Sequence, residues 1–232
     1  MFNLSEKITE LEKRLRSNSA IDVDEFNYHF IEKDEEGQLD IDFVYNRYRN
    51  KLQYNFDDSF KEIININEFY FHGILKIDSY FTKLEICIEK VGSGLFLISY
   101  DEGLWFEGQP EDGKALWKTF RSFDTRPEIG DGKMAVFSIQ EGVSPPNEPA
   151  IYYIDRAFCC KTNLTFVQYY QAVLDMMGIA DWQLLFIDVA LKDPMISYKY
   201  DGLKKSLTAL AKASPEKDYS GYFKLLEDRW VE

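Results

Sequence analysis

Polar residues alternate with apolar or aromatic ones in several segments between residues 21 and 158, and a different periodicity follows. Successive side chains of a strand point to opposite faces of a sheet, so this alternation predicts half-buried strands. After residue 165 the apolar residues recur every three or four positions, as on one side of an amphipathic helix. The change in period predicts the α+β class: a mostly antiparallel sheet with helices packed on it, plus a helical C-terminal extension.

Short polar turns divide the alternating part of the chain into strands. Residues 21–33 and 38–50 flank Asp-Glu-Glu-Gly and predict an antiparallel hairpin, with a helix over residues 42–50 as the alternative. Further strands are predicted within residues 69–108, 131–142 and 149–158. Glycines predict breaks between strands at His72-Gly73, Gly92-Ser93-Gly94 and Asp101-Glu102-Gly103.

Helices are predicted at both ends of the chain. Residues 4–16 have an apolar side that carries Leu4, Ile8, Leu11 and Leu15. In residues 162–178, Thr165 and Gln168 match a capping box, and Gly178 suits the C-terminal cap. Other helical segments are predicted at residues 111–123, 181–191, 200–213 and 214–230, the last with Ser214 as its cap and Pro215 in its first position.

The acidic composition limits the classes of partner. The net charge is −13 and the isoelectric point is near 4.7, and such a surface repels nucleic acids and anionic membranes. Acidity also keeps a protein dispersed in solution, whereas the more specific interpretation is a basic protein partner. The 18 Phe and 15 Tyr favour a core with large residues on sheet faces, and a binding surface is the second interpretation.

The termini and cysteines predict a cytoplasmic location. The first 18 residues carry charges where a signal peptide would be apolar, and the chain has no apolar run that could span a bilayer. Three cysteines are too few for a disulfide framework.

Two stretches carry a resemblance to a known family. Residues 55–69, "NFDDSFKEIININEF", supply Asp58, Ser59, Phe60, Lys61 and Ile63. Residues 150–174 contain a strand, a loop and a helix that opens with Thr165-Phe166. Both resemble the SUKH superfamily, the Smi/Knr-type proteins first described as yeast cell-wall synthesis regulators, whose signature reads Leu-Pro-x-[Asp/Ser]-[Tyr/Phe]-Lys-x-[Phe/Leu]. The Leu-Pro of that signature is replaced here by Asn55-Phe56.

The resemblance has consequences for domain organisation and function. It implies a SUKH-like domain over residues 1–178, with its core at 50–178, a helix and hairpin at 1–50, and a helical extension at 179–232. Many bacterial members of the superfamily resemble immunity proteins that bind and neutralise toxins. The implied function is therefore a non-enzymatic protein-binding domain, an immunity protein against a toxin such as a basic nuclease. A regulatory or scaffold role in cell-wall or signalling processes is the alternative, and an enzyme of unrecognised type is a third.

The residues with reactive side chains predict no catalytic, cofactor-binding or metal site. His72 and His29 lack a motif that would supply an acid or nucleophile, so we expect hydrogen-bonded structural histidines. The adjacent Cys159 and Cys160 do not match zinc-site spacing and predict buried thiols at a strand end. The glycines at 92–94 and 130–133 lack the spacing of a phosphate-binding loop.

Residues 99–113, "SYDEGLWFEGQPEDG", are the predicted partner-binding segment. Aromatic residues surrounded by acids have the composition of a hot spot for a basic partner. The alternative is a tryptophan buried in the core between solvated turns. The predicted contact residues are Tyr100, Asp101, Glu102, Trp105, Phe106, Glu107, Glu111 and Asp112.

Overall fold

The described part of the chain contains one seven-stranded sheet. The computed structural model describes residues 3–30, 66–89, 115–125, 132–138, 149–155 and 158–231. Each described strand pairs antiparallel with the next described strand along the chain. The strands are β1 (Ile21–Phe30), β2 (Ile66–Ile77), β3 (Tyr80–Glu89), β4 (Phe120–Thr125), β5 (Lys133–Ser138), β6 (Ile151–Asp155) and β7 (Phe158–Lys161). The predicted α+β class with an antiparallel sheet is confirmed.

Helix α1 (Leu4–Ser17) confirms the predicted N-terminal amphipathic helix. The Asn3 side chain caps it, because its Oδ1 accepts a hydrogen bond from the main-chain N–H of Glu6 at 3.1 Å. The four predicted apolar side chains, Leu4, Ile8, Leu11 and Leu15, are all buried. The helix therefore docks its apolar side on the rest of the domain.

Strand β2 passes through His72-Gly73 without interruption, so the predicted break at this position is wrong. The irregularity lies in the neighbouring strand β1, where Asp24 is an extra residue that has no partner in the β1–β2 register. Gly73 permits this close pairing, because a Cβ there would lie 2.8 Å from the main-chain oxygen of Asp22.

The remaining predictions for this part of the chain divide into confirmed, wrong and untested ones. Residues 115–117 are helical, as the pattern of residues 111–123 predicts, but β4 begins at Phe120, so the helical prediction is wrong for residues 120–123. Strands β5 and β6 lie within the predicted strand segments, whereas β7 begins where the last predicted segment ends and was not predicted. The second strand of the N-terminal hairpin, the residues of the SUKH signature before residue 66 and the breaks at 92–94 and 101–103 lie outside the described residues.

Helix α2 (Phe166–Met176) begins with the predicted capping box. The Thr165 hydroxyl accepts a hydrogen bond from the Gln168 N–H at 3.2 Å, and the Gln168 side chain accepts one from the Thr165 N–H at 2.9 Å. At the other end, Met177 and Gly178 both adopt positive φ angles, 50° and 67°. This left-handed pair ends the helix and turns the chain back toward the sheet.

Removing the capping hydroxyl should measurably destabilise the protein. We expect Thr165→Ala to lower the free energy of unfolding by about 1 kcal/mol, because the main-chain N–H of Gln168 then loses its acceptor, the Thr165 hydroxyl. Urea denaturation followed by circular dichroism measures this change. Thr208→Ala is the matched control, since Thr208 is an exposed position within a helix, where alanine is favourable. Equal stability of Thr165→Ala and the wild type would contradict the capping role.

The C-terminal part is helical but differs in detail from the prediction. It contains 3-10 turns at Trp182–Phe186 and Ser197–Lys199, α3 (Tyr200–Ala213) and α4 (Ser220–Val231). The helix predicted over residues 181–191 is thus only a short 3-10 turn. The prediction that Ser214 and Pro215 begin the last helix is also wrong. The Ser214 N–H still bonds to the carbonyl of Leu210 and completes α3, whereas Asp218 bonds to the Ser220 N–H.

One continuous core joins the sheet to the helices. The face of β2 that carries Phe69, Phe71 and Leu75 packs into a buried cluster with side chains from α1, α2, α3 and α4. A hydrogen bond of 2.9 Å between the hydroxyls of Tyr80 and Ser206 also connects β3 to α3. The C-terminal helices therefore pack on the sheet, and the division of the chain at residue 178 stays a prediction.

The opposite face of the sheet carries a second, smaller apolar cluster. Its buried members come from the β4–β6 part of the sheet and the turn before it: Trp117, Phe120, Val136 and Ile154. We call the side with the helices the inner face and the opposite side the outer face. Among the described helices, none combines the length and apolar character that a membrane crossing requires.

Candidate functional site

The eight contact residues predicted in the 99–113 segment lie outside the described residues. Their role as a partner-binding segment therefore stays a prediction. The described residues supply two other polar groupings that sequence reasoning did not assemble. One lies on the outer face of β1–β3, and the other is buried at the inner face near the ends of β5 and β6.

His72 lies on the outer face of the sheet between two carboxylates. Its Nδ1 is 3.2 Å from Oδ2 of Asp24, and its Nε2 is 3.9 Å from Oε1 of Glu85. The bulge in β1 brings Asp24 to this position. These two carboxylates are acidic partners that the sequence pattern did not indicate for His72, so the structural role of this histidine stays a prediction.

The outer face of β1–β3 is rich in acidic side chains. The register of the strands places Asp22 beside Ile74, and Glu25 beside His72. Because alternate residues of neighbouring strands share a face, the described side chains of this surface follow directly from the register. Its acids are Asp22, Asp24, Glu25, Glu68 and Glu85, and its basic residues are Lys76, Lys83, His29 and His72. Both histidines of the chain thus lie on one surface.

An exposed aromatic side chain lies on the same surface. Phe81 of β3 pairs with Lys76 of β2 and keeps 71% of its surface accessible. Acids elsewhere on this surface are also open to solvent, with side-chain exposures of 61% for Asp22 and 48% for Asp24. Phe81 lies at the Lys76 end of the surface, whereas Asp24, Glu25 and Glu85 lie around His72. The ring can supply contact area to a basic protein partner, and the acids can supply attraction.

A buried ionic network is the second polar grouping. The Lys199 ammonium lies 2.9 Å from Oδ1 of Asp181 and also contacts the carboxylate of Asp155. The same Oδ1 of Asp181 lies 3.3 Å from the Lys133 ammonium and accepts a hydrogen bond from the Tyr153 hydroxyl at 3.1 Å. Only 6% of the Lys199 side chain is exposed.

The elements of the fold explain why these charges meet. Lys133 begins β5 and Asp155 ends β6, and the two residues are direct partners in the β5–β6 register. Asp181 follows α2 in a left-handed conformation with φ of 63°. Lys199 ends the second 3-10 turn, just before α3. The network therefore connects the C-terminal helical part to one end of the sheet.

The protonation states of this network favour a structural role. Burial by itself would lower the pKa of Lys199, but attraction to Asp181 and Asp155 raises that pKa above its usual value. Burial would likewise raise the pKa of Asp181, yet Lys199 and Lys133 lower it. Lys199 is thus held as an ammonium, which is not nucleophilic, and Asp181 is held as a carboxylate.

A second buried carboxylate lies deeper beneath α2. The Tyr169 hydroxyl donates to Oδ2 of Asp124 at 2.5 Å and lies 3.4 Å from the Gln183 amide nitrogen. Burial and the neighbouring Asp124 raise the pKa of Tyr169 well above its usual value. The phenol therefore remains protonated and serves as a hydrogen-bond donor in the core.

The adjacent cysteines lie in β7, as buried or half-buried free thiols. Burial, with a smaller contribution from Cys160, raises the pKa of Cys159 to about 12. Burial also raises the pKa of Cys160 to about 12, and Asp188 and Asp193 add to this effect. Both residues remain thiols at neutral pH, so neither is an activated nucleophile. Within the described ranges, there is no group of three His, Cys, Asp or Glu side chains that could hold a metal ion.

Comparison of the chain with family models, with curated proteins and with solved structures gives no match. The SUKH resemblance therefore rests on the sequence motifs described above.

Proposed function

We propose that this chain is a non-enzymatic protein-binding domain of the SUKH type, and that it acts in the bacterial cytoplasm as an immunity protein. Its partner is a basic toxin domain, such as a nuclease. The observation that carries the proposal is the outer face of β1–β3, which presents five acidic side chains and, at one end, an exposed Phe81. The net charge of −13 and the sequence resemblance support the same function.

The proposed mechanism has two stages. Long-range attraction between the acidic surface and a basic partner first raises the association rate. Burial of an aromatic anchor then slows dissociation, because apolar area leaves water at the centre of the interface. Asp22 and Lys76 already form an exposed ion pair of 3.1 Å, whereas Glu25 contacts only the amide of Asn27 among the described residues. Glu25 is therefore the acid best placed to attract a partner, and Asp24 follows, because its neighbour is a histidine rather than a lysine and its side chain is 48% exposed.

Two sets of substitutions separate the candidate surfaces. The outer-face variant is Asp24→Lys with Glu25→Lys. The segment variant reverses the charges of Asp101, Glu102 and Glu107, which belong to the segment predicted from the sequence. A control variant, Glu227→Lys with Asp228→Lys, changes the net charge as much as the outer-face variant does, at exposed positions of α4.

Affinity capture tests the proposal. The wild-type chain is used as bait in the native host at low salt, beside the outer-face, segment and control variants, with mass spectrometry as the readout. We expect the wild type and the control to recover the same basic toxin domain, and raised salt to release it. Recovery of cell-wall or signalling proteins instead would favour the regulatory or scaffold role. The toxin domain should also inhibit growth when expressed alone and lose this effect when the wild-type chain is co-expressed.

A further inference from the structure

His72 lies where carboxylates of the outer face converge, and the charge of a histidine depends on pH. Its Nδ1 is 3.2 Å from Oδ2 of Asp24, and its Nε2 is 3.9 Å from Oε1 of Glu85. Glu25 is the direct partner of His72 in the β1–β2 register, so a third carboxylate belongs to the same row of residues across the sheet. Of the His72 side chain 23% is exposed, and of the Asp24 side chain 48%. His72 can therefore exchange a proton with solvent beside an acid that a partner can reach.

The other charged or titratable groups that face His72 from β1 and β3 lie in the neighbouring rows. On β1, Asp22 lies one row away and forms its ion pair with Lys76. On β3, Lys83 lies one row away in the same direction, and the Cys87 thiol lies one row away in the other direction. Between about pH 5.5 and pH 8, ordinary lysines and carboxylates keep their charge, and ordinary thiols stay mostly neutral. Histidine protonation is therefore the event that changes the charge of this surface in that range.

Histidine protonation is large relative to the charge excess of the outer face. The five acids and two lysines of this surface leave a formal excess of three negative charges while both histidines are neutral. A proton on His72 removes one of these three, in the row where three of the acids meet. His29 pairs with Glu68, roughly 13 Å along β2 from His72. Because the Debye length is about 8 Å at physiological ionic strength, a proton on His29 has the smaller effect on the row of His72.

We propose that His72 is a pH-dependent switch of partner binding at the outer face. A neutral imidazole leaves the negative charge of Asp24 and Glu25 undiminished, and these acids attract a cationic side chain of the partner. A protonated imidazole places a positive charge in the same row, so it competes with a lysine or arginine of the partner for these acids. The chain therefore holds a basic protein partner more weakly as the pH falls. This inference rests on the proposed function, because it concerns the regulation of the same surface.

Binding of a fluorescently labelled nona-arginine peptide at two pH values tests the switch. Arginine stays charged throughout, so the probe itself does not titrate. Fluorescence anisotropy at constant ionic strength gives the dissociation constants at about pH 8 and about pH 5.5, on either side of the usual histidine range. We expect the wild type to bind at least about threefold more weakly at the lower pH. His72→Gln should lose most of this difference, because glutamine stays neutral, whereas His29→Gln should keep most of it.

A lysine at the same position mimics the protonated state. His72→Lys carries a positive charge at both pH values, and we expect it to bind the peptide weakly at both. This variant also keeps the test decisive if His72→Gln folds poorly, and circular dichroism checks the fold of each variant. A wild type without pH dependence would overturn the switch. An equal loss of affinity in the wild type and His72→Gln, or tight binding by His72→Lys at the higher pH, would overturn it as well.

The charge-reversal variants distinguish failure of the switch from failure of the proposed function. The outer-face variant, Asp24→Lys with Glu25→Lys, should weaken peptide binding at the higher pH much more than the control variant, Glu227→Lys with Asp228→Lys, does. If it does so but His72→Gln keeps the wild-type pH dependence, the switch is wrong and the outer face remains the binding surface. Equal binding by the outer-face and control variants would contradict the proposed function and the switch together.

Discussion

Gly178→Ala is expected to destabilise the protein by at least about 3 kcal/mol, through combined backbone strain and overpacking. Gly178 has a φ of 67°, which side chains rarely tolerate. A Cβ there would lie 2.2 Å from the main-chain oxygen of Glu85 and 2.6 Å from its carbonyl carbon. The backbone cannot easily shift to make room for this Cβ, because the Glu85 N–H also donates to the carbonyl of Gly178 at 3.0 Å. This hydrogen bond holds the end of α2 against β3.

Urea denaturation of Gly178→Ala beside Gly202→Ala measures this effect with a matched control. Gly202 lies in α3, where an added Cβ would have no atom within 4 Å, so alanine there should stabilise the protein by about 0.5–1 kcal/mol. The same glycine-to-alanine change should therefore lower the free energy of unfolding at position 178 and raise it at position 202. A Gly178→Ala protein that is as stable as the wild type would show that the end of α2 does not contact β3 in this way.

Lys199→Met is expected to lower the free energy of unfolding by about 3–5 kcal/mol. The substitution keeps an apolar side chain of similar length but leaves the carboxylates of Asp155 and Asp181 without their shared cation. Lys133 still lies 3.3 Å from Asp181 and partly compensates its charge, so the carboxylate of Asp155 is the less compensated of the two. Thermal or urea denaturation measures the change.

An exposed lysine supplies the control for this variant. Lys212→Met removes an ion pair with Asp78 of 3.3 Å, in which both side chains are mostly exposed, and should change stability by less than about 1 kcal/mol. A further variant that combines Lys199→Met with Asp155→Asn should regain part of the lost stability, because it removes one unpaired charge. Similar effects of Lys199→Met and Lys212→Met would contradict a buried network.

The pH dependence of stability gives an independent check on the network. Asp181 has a lowered folded-state pKa, so its contribution is present above its unfolded pKa, about 4, and is lost as the pH falls through the folded value. Lys199 has a raised pKa, so its contribution is present below about pH 10 and is lost as the pH rises through the folded value. The stability difference between the wild type and Lys199→Met should therefore be largest near neutral pH and should shrink below about pH 4.

The sequence predicted correctly those features of the helices that depend only on residues close together in the chain. The apolar side of α1 and the capping box at Thr165 depend on residues within a few positions of each other, and both are confirmed. The prediction failed where long-range contacts decide the outcome. Gly73 suggested a break, but its missing side chain serves the close approach of β1. Ser214 suggested a helix start, but it completes α3 instead.

The candidate sites were harder to predict from the sequence than the helices and strands were. Alternation in β1 and β2 shows which residues share a face, but only the register brings Asp24 to His72 and places Phe81 on the same surface. The buried network joins residues up to 66 positions apart, from Lys133 to Lys199, and no local pattern marks such a set.

The association rate between the wild-type chain and its captured partner, measured by stopped flow over a range of salt concentrations, tests the central claim most directly. If an acidic surface attracts a basic partner, association is fast at low salt and slows steeply as salt increases. The outer-face variant should then associate about tenfold more slowly at low salt, with a smaller change in dissociation, while the control variant associates as the wild type does. The segment variant is expected to behave in the same way as the outer-face variant if residues 99–113 also contact the partner. Association that is independent of salt and equal in all variants would contradict the account.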